Sequence, residues 1–182
     1  HRDLHSFPTR RSSDLIMEIC IQHMEFKSEF TISDLLNRLK EGHFLYVIKK
    51  DSSIIGYFWI ATIWYYIPYF SSIIYLKNDE IYTYNAYVDS KYRGKNLFNQ
   101  IKTYAFRDLY KKGYKKSIGS YFSWNKSSAK ANKKFGSNPI GAVRFGYFFC
   151  FKYLQNSVAS IKLKRQDNIF VLWYKLDRKS VV

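Results

Sequence analysis

Residues 80–113 constrain the fold of this 182-residue chain more than any other segment. The segment opens with Glu80–Val88, whose aromatic and β-branched residues predict a strand. A polar, basic turn that contains Gly94 follows the strand. Apolar residues three and four positions apart then predict a helix that ends at 111–113, with one face made of Leu97, Phe98, Ile101, Tyr104, Ala105 and Leu109.

The turn between this strand and this helix has the properties of an anion site. The first N–H groups of a helix have no partner within the helix, and its amino end carries a partial positive charge. Arg93 and Lys95 add two full positive charges beside it. We therefore expect a phosphate to bind here. A basic loop that only caps the helix is the alternative, because the motif alone is weak.

The remaining elements follow from local signals. A capping hydroxyl at Thr31, leucines at helical spacing and Gly42 predict a short helix over 31–41. Two apolar runs around the polar turn 49–53 predict an antiparallel hairpin, Phe44–Ile48 with Ile54–Ile60. Towards the carboxyl end we expect a strand (Ser117–Trp124), a short helix (Ser127–Phe135), a strand (Ile140–Tyr153) and a last strand (Ile169–Leu176).

The stretch 52–76 contains no charged residue and is long enough to cross a membrane as a helix. Gly56, an interior Pro68, two serine pairs and many tyrosine and β-branched residues argue against a helix. We predict strands that are interrupted near Pro68, and no membrane association.

Composition limits the class of protein. The chain is 47% hydrophobic and 20% aromatic, which excludes a disordered chain, and its length suits one domain. Its two cysteines, Cys20 and Cys150, form neither a disulfide framework nor a metal-binding spacing. We expect a reducing, cytoplasmic location and no metal.

The chain has 30 Lys and Arg against 14 Asp and Glu, a formal net charge of +16. Such a charge suits nucleic acid, but the abundance of Lys, Ile, Asn, Tyr and Phe is what an AT-rich genome produces without selection for binding. No RNA- or DNA-binding motif accompanies the charge. We predict no nucleic-acid partner and keep a basic RNA-binding domain as an alternative function.

Both ends of the chain resemble translated sequencing adapter. Residues 5–15 resemble the translation of a common adapter, and residues 177–182 resemble that of its reverse complement. We therefore expect residues 1–15 and 177–182 to be artefacts and 16–176 to be a single domain. Whether the native amino terminus is truncated stays open.

Two motifs resemble the GNAT superfamily of N-acetyltransferases. The segment Val88-x-x-x-Tyr92-Arg93-Gly94-Lys95-Asn96-Leu97 resembles the family's acetyl-coenzyme A loop, Val-x-Pro-x-Tyr-Arg-Gly-Lys-Gly-Leu/Ile-Gly/Ala. Downstream, a family pattern that starts with Asn and ends with Lys-x-Gly is matched by Asn125, Ser128, Asn132, Lys134 and Gly136. The order of elements agrees over roughly residues 33–176. The resemblance implies an α+β fold: a central, mostly antiparallel mixed sheet flanked by helices in three layers.

The resemblance also implies roles for individual residues. The pantetheine arm of acetyl-CoA would pair with the strand at Ala86, Tyr87 and Val88, and a backbone N–H of this segment, taken as that of Tyr87, would be the oxyanion donor. The pyrophosphate would bind Arg93, Gly94, Lys95, Asn96, Leu97 and Phe98. Asn96 replaces a glycine, which is tolerable because Asn adopts left-handed conformations. Phe98 replaces a small residue.

Asn125 would bind the pantetheine portion, or would simply cap the helix that follows. Glu80 is the nominated general base. The family's tyrosine acid corresponds to Asn132, so Tyr84, Tyr121 or water would have to supply the proton. The isolated His23 and His43 are expected on the surface.

The implied function is transfer of acetyl from acetyl-CoA to an amine of a small molecule or protein in a ternary complex. The alternative within the same fold is a CoA-binding or partner-binding module with impaired catalysis. The aromatic residues of 65–78 line an acceptor pocket or pack in the core or a dimer face, with packing favoured. A homodimer stays open.

Overall fold

The computed structural model describes residues 4–6, 31–51, 53–148, 151–156, 163–165 and 173–174. Within them it contains three α-helices, α1 (Ile32–Lys40), α2 (Leu97–Lys111) and α3 (Lys126–Lys134). The strands are β1 (Leu4–Ser6), β2 (Phe44–Lys50), β3 (Ser53–Ala61), β4 (Trp64–Ile67), β5 (Ser72–Tyr75), β6 (Glu80–Val88), β7 (Lys116–Gly119), β8 (Val143–Phe148), β9 (Phe151–Asn156), β10 (Leu163–Arg165) and β11 (Trp173–Tyr174).

The chain forms two compact units. The first comprises His1–Thr62 and Thr83–Tyr114, and the second comprises Ile63–Tyr82 and Lys115–Val182. The boundary between the units falls within β6, since Glu80–Tyr82 belong to the second unit and Thr83–Val88 to the first. The expectation that residues 16–176 form a single domain stays a prediction.

In the first unit the strands β1, β2, β3 and β6 are hydrogen-bonded in that order. The predicted hairpin is confirmed: β2 and β3 are antiparallel, with Tyr46 opposite Phe58, and Asp51 makes its turn in a left-handed conformation. Strand β1 adds to the edge through Leu4 opposite Ile48. This pairing does not bear on the origin of residues 1–15, for which adapter translation stays a prediction.

Helices cover both faces of this sheet. Phe58 of β3 meets the ring of Phe98 on α2, with the ring centroids 6.2 Å apart. The next residue, Trp59, lies beneath the guanidinium of Arg38 on α1, 5.4 Å from its ring centroid. Because successive strand residues point to opposite faces, α1 and α2 lie on opposite sides of the sheet. The expected three layers are therefore present within the first unit.

The two helices bury most of the predicted apolar positions, but on α2 the predicted Tyr104 is exposed and Lys102, which was not predicted, is buried. Leu35 of α1 is buried, as are Leu97, Ile101, Ala105 and Leu109 of α2. Side chains three and four apart share a helix face, and this helix packs against β2 and β3. The packing also includes the buried hydroxyl of Tyr46 on β2, which donates to Asp108 of α2 at 2.7 Å.

Strand β6 contains a β-bulge. Tyr57 stacks on Tyr87 with centroids 5.4 Å apart, and Trp59 stacks on Tyr84 at 6.4 Å. A step of two residues along β3, from 57 to 59, therefore corresponds to a step of three along β6, from 87 back to 84, and the two strands run in opposite directions. The extra residue is Asn85, whose φ of 44° lies in the left-handed region.

The described part of the charge-free stretch, residues 53–76, contains three strands, as predicted. After β3 come β4 and β5, which pair antiparallel around a 3₁₀ turn, Pro68–Phe70. Strand β10 pairs with β5 on its other side, within the second unit. Among the described residues, no helix has the length and apolar character needed to span a membrane.

Some predicted boundaries in the second unit are wrong. The strand expected over 117–124 is β7, which ends at Gly119, because Phe122 and Trp124 stack on each other at 4.4 Å in the loop that follows. The strand expected over 140–153 is two antiparallel strands, β8 and β9, with Phe148 opposite Phe151. Of the last predicted strand, only β11, opposite β8, lies within the described residues.

Candidate functional site

The loop between β6 and α2 is built to present backbone N–H groups. After Val88, the Asp89 carboxylate accepts the N–H of Lys91 at 2.9 Å and starts a 3₁₀ turn, Ser90–Tyr92. Gly94 and Asn96 then take left-handed conformations, with φ of 78° and 60°. Asn96 therefore replaces the family's glycine in the conformation that its residue type tolerates.

The amino end of α2 has no side-chain cap. Asn96 holds the N-cap position, but its Oδ1 accepts from Nδ2 of Asn99 at 2.9 Å and from no helix N–H. The first turn of α2 also contains no acidic residue. The first N–H groups and the positive end of the helix dipole are thus left to whatever binds in front of them.

Three cationic side chains lie in or beside the loop that precedes this helix end. Arg93 is exposed and its Nε donates to the carbonyl of Val88 at 2.9 Å, which fixes the guanidinium against the end of the strand. The ammonium groups of Lys95 and Lys50 lie 5.4 and 5.5 Å from the ring centroid of Tyr92. Lys50 belongs to the β2–β3 hairpin, about forty residues before Tyr92 in the sequence. The loop motif alone therefore gave no sign that Lys50 lies beside the loop.

The side chain of Phe98 is turned partly towards the sheet. Its ring is half-buried and meets Phe58 of β3 edge-on, while the ammonium of Lys102 lies 5.9 Å from its centroid. Burial lowers the pKa of Lys102 to about 8. The large side chain in place of the family's small one is therefore used in part to pack α2 on the sheet.

The residues predicted to pair with the pantetheine arm follow the bulge. Up to Tyr84 the strand is mostly buried, whereas Ala86 is exposed and Tyr87 and Val88 are half-buried. A glycine allows β3 to approach this segment: a Cβ on Gly56 would lie 3.1 Å from the carbonyl oxygen of Tyr87 and 3.2 Å from Cδ1 of Ile48. Asn85, the bulged residue, is the feature that sequence reasoning missed, although an Asn in the middle of a strand was its signal.

The first unit thus brings together Ala86, Tyr87 and Val88 with Arg93, Gly94, Lys95, Asn96, Leu97 and Phe98. Glu80 and Asn125 lie in the second unit. Asn125 caps α3, because its Oδ1 accepts the N–H of Ser128 at 3.0 Å. The capping alternative for Asn125 is therefore confirmed, and its contact with pantetheine stays a prediction.

Glu80 is buried, with 7% of its surface exposed, and its Oε2 accepts the backbone N–H of Lys77 at 3.1 Å. Its Oε1 lies 3.8 Å from the ammonium of the same lysine. The carboxylate thus closes the turn that leads into β6. Its role as general base stays a prediction.

The candidate proton donors are placed differently. Asn132, which the resemblance places at the tyrosine of the GNAT pattern, donates from Nδ2 to the carbonyl of Ser128 at 3.0 Å, within its own helix. Tyr84 is buried and its hydroxyl lies 2.6 Å from Nδ1 of His43. The expectation that His43 lies on the surface is wrong, since it is 6% exposed and contacts Tyr84. His23 lies outside the described residues.

No family model matches the chain, and no curated protein sequence matches it. Solved structures do match, at low identity. An aminoglycoside N-acetyltransferase, AAC(6')-Iy, solved with CoA, aligns with a TM-score of 0.62 and 14% identity over 82% of this chain and 96% of that one. A metagenomic aminoglycoside acetyltransferase solved with sisomicin gives 0.56 and 13%, over 75% and 88% of the two chains.

An acetyltransferase of the GNAT family from Staphylococcus aureus gives a TM-score of 0.52 and 12% identity, over 75% of this chain and 84% of that one. The fold is therefore that of the GNAT acetyltransferases, as the two sequence motifs implied. Among the described residues, no cluster of three or more His, Cys, Asp or Glu side chains is arranged to hold a metal ion.

Proposed function

We propose that the protein is an acyl-CoA-dependent N-acyltransferase that moves acetyl from acetyl-CoA to an amine. The observation that carries the proposal is the uncapped start of α2, reached through left-handed Gly94 and Asn96 and flanked by Arg93 and Lys95. Backbone N–H groups, a helix dipole and cations at one place are what a diphosphate needs. The GNAT fold supports the same assignment.

In this proposal the pyrophosphate of acetyl-CoA binds the loop and the first turn of α2, and the pantetheine arm pairs with Ala86–Val88. The acceptor nitrogen attacks the thioester carbon and the C–S bond breaks. The amine loses a proton and the leaving thiolate gains one. A backbone N–H of the 86–88 segment, taken as that of Tyr87, stabilises the negative charge that builds on the carbonyl oxygen.

The acceptor is proposed to be an amine of a small molecule or of a protein. Aminoglycosides belong in any panel, because two of the similar structures are aminoglycoside acetyltransferases. They are polycations, however, and the net charge of +16 disfavours them by repulsion. Neutral or acidic amines are therefore the preferred class, and they need to be tested beside a polyamine.

A second candidate is a GNAT-fold module that binds CoA without catalysis. It is favoured by Asn132, which takes the place of the family's tyrosine and is hydrogen-bonded within α3. An amide cannot supply a titratable proton to a thiolate. The two candidates share the cofactor site and differ in turnover.

One experiment separates them. Thermal unfolding is followed with and without CoA, and thiol release from acetyl-CoA is measured against the amine panel. Ligand at about 100 times its Kd adds about 2.7 kcal/mol to stability, which raises Tm by several degrees. Stabilisation with turnover supports the enzyme, and stabilisation without turnover supports the binding module. No stabilisation, combined with salt-sensitive retention on RNA, would select the RNA-binding alternative.

A further inference from the structure

Three aromatic side chains of the second unit, Tyr69, Phe122 and Trp124, form a stack at the protein surface. The rings of Phe122 and Trp124 lie nearly parallel, with centroids 4.4 Å apart, and Tyr69 meets Phe122 edge-on at 4.6 Å. Tyr69 and Trp124 nevertheless keep 57% and 53% of their surfaces exposed. Single exposed apolar residues are normal, but aromatic rings gathered in one exposed cluster are typical of a binding surface.

A row of lysines begins directly after this aromatic stack. Asn125, the residue after Trp124, caps α3. The exposed lysines of α3 lie at its first, fifth, eighth and ninth positions: Lys126, Lys130, Lys133 and Lys134. This spacing places them along one face of the helix. Among the described residues, none of the four pairs with a carboxylate, so this lysine row presents four positive charges to solvent.

The stability of α3 does not account for the lysine row. Like charges one helix turn apart repel each other, and Lys126 lies at the positive end of the helix dipole. An AT-rich genome explains many lysines but not a lack of acids. Between Asp108 and Asp167 the sequence contains no Asp or Glu, whereas the chain average, 14 in 182 residues, would give about four. The two described carboxylates of the second unit, Asp79 and Glu80, pair with other lysines.

We propose that the aromatic stack and the lysine row form a binding surface for single-stranded RNA. Unpaired bases stack on exposed aromatic rings, and a neighbouring row of cations binds the phosphates that join them. A single strand is preferred because the bases of a duplex are already stacked on each other. The total charge of the chain gave no reason to expect a nucleic-acid partner, but its placement beside exposed rings does. The surface lies within the second unit, and the inference does not depend on acetyl transfer.

Fluorescence anisotropy with a labelled single-stranded RNA of about 12 nucleotides tests the proposal, with heparin as a polyanion that has no bases. Trp124→Ala should lower RNA affinity about tenfold through loss of stacking, and should leave heparin affinity within about twofold. The double variant Lys126→Gln, Lys130→Gln should weaken the binding of both polyanions. It should also reduce the slope of log K for RNA against log salt by about 0.7 for each lysine removed.

Tyr110→Ala and Lys40→Gln are the matched controls. They remove an exposed ring and an exposed charge from the first unit. Both should leave RNA affinity within about twofold. Trp124→Phe keeps a ring on which a base can stack and should retain most of the affinity. It also serves as the second variant if thermal unfolding shows that Trp124→Ala does not fold.

The outcomes are distinct. A loss of RNA affinity, but not of heparin affinity, in Trp124→Ala supports the proposal. Equal losses for the two polyanions, or no loss for either, would overturn it, since the rings would then play no part in recognition. Duplex RNA that binds as tightly as the single strand would also overturn it. Displacement of the RNA by excess CoA would instead assign the surface to the cofactor. If the wild type binds no RNA, the proposal fails whether or not acetyl transfer is observed.

Discussion

The amino ends of α1 and α2 satisfy their backbone N–H groups in opposite ways. At α1, Thr31 Oγ1 accepts the N–H of Asp34 at 3.1 Å, and Asp34 Oδ2 accepts the N–H of Thr31 at 2.8 Å. At α2, Asn96 makes no such bond and the first turn contains no acid. One helix end is closed by its own side chains and the other is left open.

The backbone explains the difference. Thr31 has an extended conformation, φ −84° and ψ 160°, which lets a side chain reach the N–H two or three residues on. Asn96 has φ 60° and ψ 17°. In this left-handed geometry its side chain bonds Asn99 instead. The comparison supports the proposal that the start of α2 binds a ligand, whereas the cap of α1 stabilises the helix itself. The following variants test this division, in order of expected effect.

The largest effect is expected from Asn99→Asp, which places at α2 the carboxylate that Asp34 places at α1. Both residues are third in their helices, so the change copies the closed end onto the open one. We expect CoA affinity to fall about 30-fold through repulsion of the phosphates, and unfolding free energy to fall by about 1 kcal/mol because the bond from Asn99 to Asn96 is lost. Isothermal titration calorimetry and denaturant unfolding measure the two.

Lys111→Gln is the control for Asn99→Asp, since it lowers net charge by the same unit at the far end of α2. It should leave CoA affinity within about twofold, because helix-end effects fade beyond one turn. Equal losses in both variants would show that overall charge, and not the open helix end, attracts the ligand.

A smaller loss is expected for Arg93→Gln, about tenfold in CoA affinity, with a weaker salt dependence of binding. Arg93→Lys should recover only part of the loss. A lysine ammonium cannot hold the Val88 carbonyl through Nε while it presents further N–H groups to a phosphate. Full recovery by lysine would mean that Arg93 acts as a point charge. Titrations at two salt concentrations decide this.

At the closed end, Thr31→Ala should lower the unfolding free energy by about 1 kcal/mol through loss of the cap. Its CoA affinity should not change, because α1 is expected to serve stability alone. Denaturant unfolding and calorimetry on the same preparation check both statements. A matching loss of CoA affinity would contradict the division between the two helix ends.

The smallest effect concerns pH. The backbone N–H of Thr31, and then its hydroxyl, hold the pKa of Asp34 below its usual value. A depressed carboxyl pKa contributes stability above the unfolded-state pKa, and this contribution is lost as pH falls through the folded-state value. Wild type should therefore be slightly more stable than Asp34→Asn at pH 7, and the gap should close below about pH 4. A gap that persists at pH 2 would rule out the carboxylate as its source.

Local rules were sufficient for much of the first unit. The helix over 32–40 carries its own cap, the hairpin carries its turn residues, and the strand Glu80–Val88 and α2 carry their apolar spacing. The loop that is proposed to bind phosphate could be located for the same reason. Left-handed Asn96 was anticipated because few residue types tolerate that conformation.

Tertiary contacts decided what sequence reasoning missed. His43 looked isolated because its partner, Tyr84, is distant in sequence and meets it only through the sheet. The aromatic residues 121–124 have high β-propensity, yet Phe122 and Trp124 stack on each other in a loop. An Asn in the middle of β6 signals an irregularity, but the bulge at Asn85 also depends on how β6 aligns with β3, which the local sequence does not give.

Gly56 couples the conformation of the β2–β3 hairpin to that of the β6 strand. Any larger residue there would bring its Cβ against the carbonyl oxygen of Tyr87, a backbone atom that cannot swing aside as the tip of Ile48 can. Replacement of Gly56 would therefore shift the Ala86–Val88 segment, which is proposed to pair with the pantetheine arm, although residue 56 itself contacts no ligand. The backbone of β6 near Tyr87 thus limits which residues the hairpin can hold at position 56. A larger residue at 56 is expected to be tolerated only if the backbone near Tyr87 moves away.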